Sequence, residues 1–216
     1  MQSVEAVIFD MDGVIVDSEP RHERAFLGVV REIGYADKLN LRFADYTGRS
    51  DKDLWMDFIA RHKPPQTLTQ LLALKRRRTV EILRREQPVF GGVPKLVQKL
   101  AGRYPLAVAS GSDRAVVKEV LKLGGLGPFF SAVVSSCDVR HGKPAPDIFL
   151  RAAELLKVPP QRCCVIEDSK PGVAAGLAAG MQVIAITNTH PAAELCPATH
   201  VVRTCRDIER LLLPPP

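Results

Sequence analysis

The sequence predicts a doubly wound α/β domain carrying a helical insertion directly after its first strand. Three observations predict it: short, nearly all-apolar runs recur along the chain, helix-period segments lie between them, and one long stretch breaks the alternation. A short run that is apolar at successive positions fits a strand buried on both faces of a parallel sheet.

The first run covers residues 4–9 and ends at the acidic segment Asp10-Met11-Asp12. Residues 18–89 then read as helical throughout, with Ala25, Phe26, Val29 and Val30 first, then Leu54, Trp55, Phe58 and Ile59, then the leucines around Leu71. This is the insertion, and residues 88–94 return the chain to the α/β pattern. Leu106–Ala109 is the second run and ends at Ser110. Asp113 is placed to cap a helix with Val116, Val117, Val120 and Leu121 inward, ended by Gly124-Gly125. Ala132–Val134 is the third run. Asp147 opens a helix expected to bury Ile148, Phe149, Ala152, Leu155 and Leu156. Residues 163–166 form the fourth run, ending at Glu167-Asp168. Pro171 suits a first helical turn, and the small residues after it let that helix lie close against a sheet. Residues 183–186 are the fifth run, and the final Pro214-Pro215-Pro216 reads as a frayed tail.

With 216 residues, 46% hydrophobic and 25% charged, the chain can build one good core, or a core and a small second domain. No apolar run approaches the ~20 residues of a membrane span. Residues 1–5 lack the basic-then-apolar order of a signal peptide. Five cysteines, an odd number without a C-x-x-C pair, read as reduced thiols of a cytoplasmic enzyme. The net charge of +6 suits an anionic partner: nucleic acid, lipid or a phosphorylated metabolite. Lys75-Arg76-Arg77-Arg78 lies in a helical stretch and reads as a solvated face. No aromatic residue interleaves with it, so stacking on single-stranded nucleic acid is unsupported. The expectation is a small phosphorylated metabolite as partner, no nucleic acid, no membrane, and a monomer.

Ligands of open α/β sheets bind at the carboxyl ends of the strands. Asp10 and Asp12 follow the first run, Ser110 the second, Glu167 and Asp168 the fourth, while Lys143 sits in a loop ahead of a helix. Crowded carboxylates ionise together only if a cation neutralises them. Hard Mg²⁺ prefers oxygen ligands, so Asp10, Asp12, Glu167 and Asp168 are the candidate metal set, with Asp10 and Asp168 as direct ligands. Gly13 permits a sharp turn and is expected to bring backbone N–H groups to a bound anion. Phosphoryl transfer needs an in-line nucleophile, charge neutralisation and a proton donor. Asp10 suits the nucleophile, Lys143 the charge on the equatorial oxygens, and Asp12 the acid and base. Ser110 and the N–H groups of Gly111 and Ser112 are expected to open a helix where phosphate binds.

These residues resemble the haloacid dehalogenase-like hydrolases. The segment Asp10-Met11-Asp12-Gly13-Val14-Ile15-Val16-Asp17-Ser18 resembles their first motif, Ser110 the second, Lys143 the third and Glu167-Asp168-Ser169 the fourth. The likeness implies a Rossmann-like core of residues 1–17 and 90–216 with a mobile helical cap of residues 18–89. Dehalogenase members lack the second Asp of the first motif, so Asp12 favours phosphate chemistry. Lys143-Pro144-Ala145-Pro146-Asp147-Ile148-Phe149 is similar to the β-phosphoglucomutase-like group, which also holds sugar-phosphate phosphatases. His22 matches a mutase His, and Arg49 and Lys52 are cap-side candidates for substrate contact. The mutase cap segment Gly-x-Ser-Arg-x-Asp reads Gly48-Arg49-Ser50-Asp51-Lys52-Asp53 here, and Ser18 stands where mutases place Thr. Asp51 in the Arg position would repel a second phosphate. A phosphatase is therefore expected, with β-phosphoglucomutase-type chemistry as the alternative.

Overall fold

The structure, a computed structural model, describes residues 3–46 and 49–213. Gly48 of the expected cap segment, the first two residues and the Pro214 to Pro216 tail lie outside the described residues.

Six parallel strands form one sheet: β1 (Ala6–Phe9), β2 (Leu106–Ala109), β3 (Ala132–Val134), β4 (Cys163–Glu167), β5 (Gln182–Ile186) and β6 (His200–Val202). Their spatial order is β3-β2-β1-β4-β5-β6, with Val7 opposite Leu106 on one side and Cys164 on the other. The chain winds outward from β1 in one direction, then returns to its far side at β4. That reversal opens a crevice at the carboxyl ends of β1 and β4.

Alternation along the strands divides the core in two. Val7, Phe9, Val108, Ile166 and Ile184 face one layer of helices: α4 (Val93–Ala101), α5 (Arg114–Leu123) and α8 (Cys205–Leu212). Ala6, Ile8, Ala107, Val165 and Val183 face the other: α6 (Asp147–Leu156) and α7 (Lys170–Ala178). Gly176 of α7 lets the helix approach closely, since a Cβ there would lie 2.7 Å from a methyl of Val183. Asp113 caps α5 by accepting the Ala115 N–H at 2.8 Å, as the sequence predicts. On α6 the buried residues are Ile148, Phe149, Ala152 and Ala153, while Leu155 is exposed. The helix presents a narrower stripe to the sheet than the leucine count implied.

The stretch after β1 holds α1 (Glu19–Glu32), α2 (Asp51–His62) and α3 (Leu68–Glu86). They enclose a third cluster around Phe26, Trp55, Phe58 and Leu71. It is not helical throughout: residues 33–50 carry only two short 3₁₀ turns among their described positions. Two chain segments tie this layer to the sheet, where the Phe90 N–H donates to Ile15 and the Asp17 N–H to Pro88. Ion pairs join it to α5 as well: Arg76 with Asp113, and Arg84 with Glu119 through two hydrogen bonds of 2.9 and 2.8 Å. β6, α4 and α8 have no counterpart among the sequence-predicted elements.

Candidate active site

The Asp10 N–H donates to Ile166 at 2.9 Å, extending the β1–β4 ladder and setting its side chain at the crevice. The next residues fold back at once. Ile15 and Val16 donate to the Met11 carbonyl, and Gly13 adopts φ 77° with its N–H on Val16 at 2.8 Å. A Cβ on Gly13 would sit 1.8 Å from a carboxylate oxygen of Asp168. Gly13 therefore makes the sharp turn and leaves room for Asp168, with its own N–H committed to that turn.

Lys143 reaches in from its loop, buried, and donates to Asp10 Oδ1 at 2.6 Å and to Glu167 Oε1 at 2.5 Å. Glu167 Oε2 accepts the N–H groups of Asp168 and Ser169 at 2.7 and 2.8 Å and the Ser169 hydroxyl at 3.0 Å. It sits under the N-terminus of α7, where the helix dipole favours an anion. A Cβ on Gly172 would fall 1.7 Å from Glu167 Oε1, so this seat also depends on a glycine.

One oxygen each from Asp10, Glu167 and Asp168 lies within 4.8 Å of the others, all buried. Burial drives the Asp10 carboxyl well above its ordinary range; Lys143 opposes this, while Glu167 and Asp12 add to it. Burial also raises Asp168, reinforced by the charges of Glu167 and Asp10. Burial alone would lower Lys143, but Asp10 and Glu167 outweigh it and hold the ammonium charged. One lysine cannot neutralise three carboxylates. The set therefore fits a hard divalent cation: oxygen donors, enclosed, with surplus negative charge.

The sign of the pH dependence follows. A carboxyl raised in the folded state binds more protons there than in the unfolded chain between the two values, so stability falls as pH rises through that window. Without metal, melting temperature is expected to fall as pH rises from the ordinary carboxylate range through the raised values of Asp10 and Asp168. Saturating Mg²⁺, at about 100 times its dissociation constant, should restore about 2.7 kcal/mol. Thermal melts with Mg²⁺ and with chelator across pH check both; a metal effect that vanished at high pH would contradict the assignment.

Asp12 lies apart from this cluster. Its Oδ1 accepts the Ser18 hydroxyl at 2.6 Å and faces His22 Nε2 at 3.1 Å; its Oδ2 accepts Ser110 at 2.8 Å and Ser112 at 2.9 Å. Both oxygens are occupied by hydrogen bonds, so the carboxylate does not join the metal set as the sequence led us to expect. Burial raises the Asp12 pKa, but His22, Ser18 and Ser110 outweigh it and hold the group well below the usual carboxylate range.

His22 is a buried side chain. Lys75 Nζ contacts His22 Nδ1 at 2.9 Å. An ammonium only donates, so Nδ1 accepts and Nε2 carries the proton offered to Asp12. Lys75 has no exposure and also pairs with Asp51, which removes it from the solvated basic face expected for residues 75–78. Leu71, Lys75, Thr79 and Leu83 form one buried i, i+4 stripe on α3, a periodic signal that could have revealed it. Ser18, fully buried on Asp12, was also missed as a functional residue.

Gly111 and Ser112 precede α5 and do not open it. The Ser112 N–H donates to Ser110 Oγ at 3.0 Å, so this turn serves to aim two hydroxyls at Asp12. Between Asp10, Asp12 and the helical layer lies a cavity of about 40 Å³, roughly three water volumes at 10–15 Å³ each. Arg49, Gly111 and Lys143 line it and also line an outer groove of about 560 Å³. Lys52 lines only the outer groove.

A family model for haloacid dehalogenase-like hydrolases matches residues 4–180. The fructose-1-phosphate phosphatase YqaB of Escherichia coli is 35% identical over 189 residues, covering 82% of this chain and 94% of that protein. The phosphorylated carbohydrates phosphatase of Thermotoga maritima is 32% identical over 184 residues, 84% of each. The crystal structure of a β-phosphoglucomutase from Clostridium difficile superposes with a TM-score of 0.82 over 95% of this chain and 93% of that one, at 22% identity, and shares the fold. The chain belongs to the haloacid dehalogenase-like hydrolase family and is a hydrolase of phosphoric monoesters.

Proposed function

We propose that the chain is a Mg²⁺-dependent phosphatase of small phosphorylated metabolites, sugar phosphates or similar, working through an aspartyl-phosphate at Asp10. One observation carries this reading. Two carboxylates two residues apart occupy opposite environments: Asp10 sits in an electron-rich cluster with Lys143, and Asp12 is encircled by His22 and three hydroxyls. Paired groups with diverging environments divide into separate chemical roles.

Lys143 holds Asp10 Oδ1, which leaves Oδ2 to attack phosphorus as the bond to the leaving oxygen breaks. Asp12 starts ionised. The arriving phosphate dianion raises its affinity for a proton, which it takes up from solvent before the transfer and then delivers to the leaving oxygen. Asp12, again a carboxylate, takes a proton from water as that water attacks the phosphorus and frees Asp10. When bound, Mg²⁺ held by Asp10 and Asp168 would supply charge neutralisation to the transferred group. Residues 18–89 act as a cap over this site, and Arg49 contacts substrate from that side. The inner cavity is only about 40 Å³, so a phosphoryl group seated there leaves little room for bulk water. The sugar-phosphate and hexitol phosphatases among the relatives support the substrate class.

A panel of phosphorylated sugars, polyols, nucleotides and small acids, assayed for free phosphate with Mg²⁺ and with chelator, tests the reading. Release is expected from sugar and polyol monophosphates and only with Mg²⁺. No release from any ester, or full activity in chelator, would refute it.

A further inference from the structure

Lys75 brings a charged nitrogen to the helical side of the site with no exposure of its own. A buried ammonium is tolerated only when paired. Its partners are His22 Nδ1 and the carboxylate of Asp51. Asp51 stands in the first turn of α2, where the helix terminus favours an anion, and it lines both the inner cavity and the outer groove. It therefore lies between the Lys75 charge and the space that a leaving group enters.

Among the described residues, the inner cavity is lined by the carboxylates of Asp10, Asp12, Glu19 and Asp51 against the cations Arg49 and Lys143. Lys143 is already engaged by Asp10 and Glu167. Arg49 lies over the Tyr46 ring at 5.3 Å and reaches Asp53 only at 3.9 Å, so it is available to a phosphate. One phosphoryl group uses the positive charge this wall offers. A second anionic group would meet Asp51. A hydroxyl would instead find in Asp51 an acceptor.

We propose that Asp51 is a specificity-determining residue: by neutralising Lys75 it selects phosphate monoesters whose leaving group bears hydroxyls and no second anion. The proposal rests on the phosphatase reading above and names the feature that restricts its substrates. Lys75 is a positive charge held behind the cavity wall, and Asp51 cancels it on the side that faces the substrate.

The test compares fructose 1-phosphate with fructose 1,6-bisphosphate as matched esters. The wild type is expected to favour the monophosphate at least tenfold in kcat/KM. Asp51→Asn preserves shape and leaves the buried Lys75 charge uncompensated; it should narrow that ratio tenfold or more, through a lower KM for the bisphosphate. Adding Lys75→Met to Asp51→Asn should restore the preference, an outcome that mere damage to the fold would not produce. Calorimetric binding of both esters to the Asp10→Asn protein, with and without Asp51→Asn, reads the same ratio without turnover. If the wild type released phosphate from neither of these nor any other ester of the panel above, the phosphatase reading would fall, while the binding ratio would still decide this one. A binding ratio unmoved by Asp51→Asn, or a wild type that prefers the bisphosphate, would overturn this one.

Discussion

Asp10→Asn is expected to lower kcat by at least about 10⁴-fold, the order seen when a nucleophile is removed from a preorganised site. An amide keeps the size of the side chain but cannot attack phosphorus. The fold should survive the change. Asp10 is buried, and both burial and its acidic neighbours disfavour its ionised form. Removing that charge relieves repulsion with Glu167 and Asp12, and Lys143 retains Glu167 as a partner. The variant should therefore melt at or above the metal-free wild type at neutral pH, while the stabilisation by Mg²⁺ shrinks. Phosphate release and thermal melting check the two halves together. Turnover close to wild type would remove Asp10 from the role assigned to it.

Lys143→Met is expected to destabilise the protein by about 3–5 kcal/mol, the cost of breaking a buried ion pair from one side. Its Nζ serves two buried carboxylates at once, Asp10 and Glu167, and both lose their counter-charge in the variant. For a chain of this size that is on the order of 10 °C in melting temperature. Activity should fall as well, since one of the positive charges set against the transferred group is lost. Denaturant unfolding in chelator gives the stability change directly. A variant as stable as wild type would show that Asp10 and Glu167 hold their places without the lysine.

Much of the fold is legible in the sequence for a physical reason. Strands covered on both faces must be apolar at every position, so β1 to β5 stand out as runs between acidic or hydroxyl-bearing ends. β6 escapes this logic. It begins at His200 and Val201 is exposed, so no unbroken apolar run marks it. The site divides the same way. Asp10, Ser110, Glu167 and Asp168 are readable because strand ends converge. Lys75 is not, and His22 is reached only through the family resemblance, because their contacts depend on how α1 and α3 pack against each other. Within Lys75-Arg76-Arg77-Arg78 the charges look alike. The packed helices separate them: Lys75 turns inward, Arg76 takes Asp113, and Arg78 takes Glu32.

The two glycines on α7 leave this enzyme unevenly tolerant of change. Gly172 faces the acidic seat of Glu167, and Gly176, one turn further on, faces the methyl of Val183. A side chain at the first position would dislodge a buried carboxylate of the acidic cluster. At the second it would pry the helix from the β-sheet. Neighbouring turns of one small helix thus answer to different demands, one chemical and one architectural, and a lineage drifting toward a new substrate has to leave both bare.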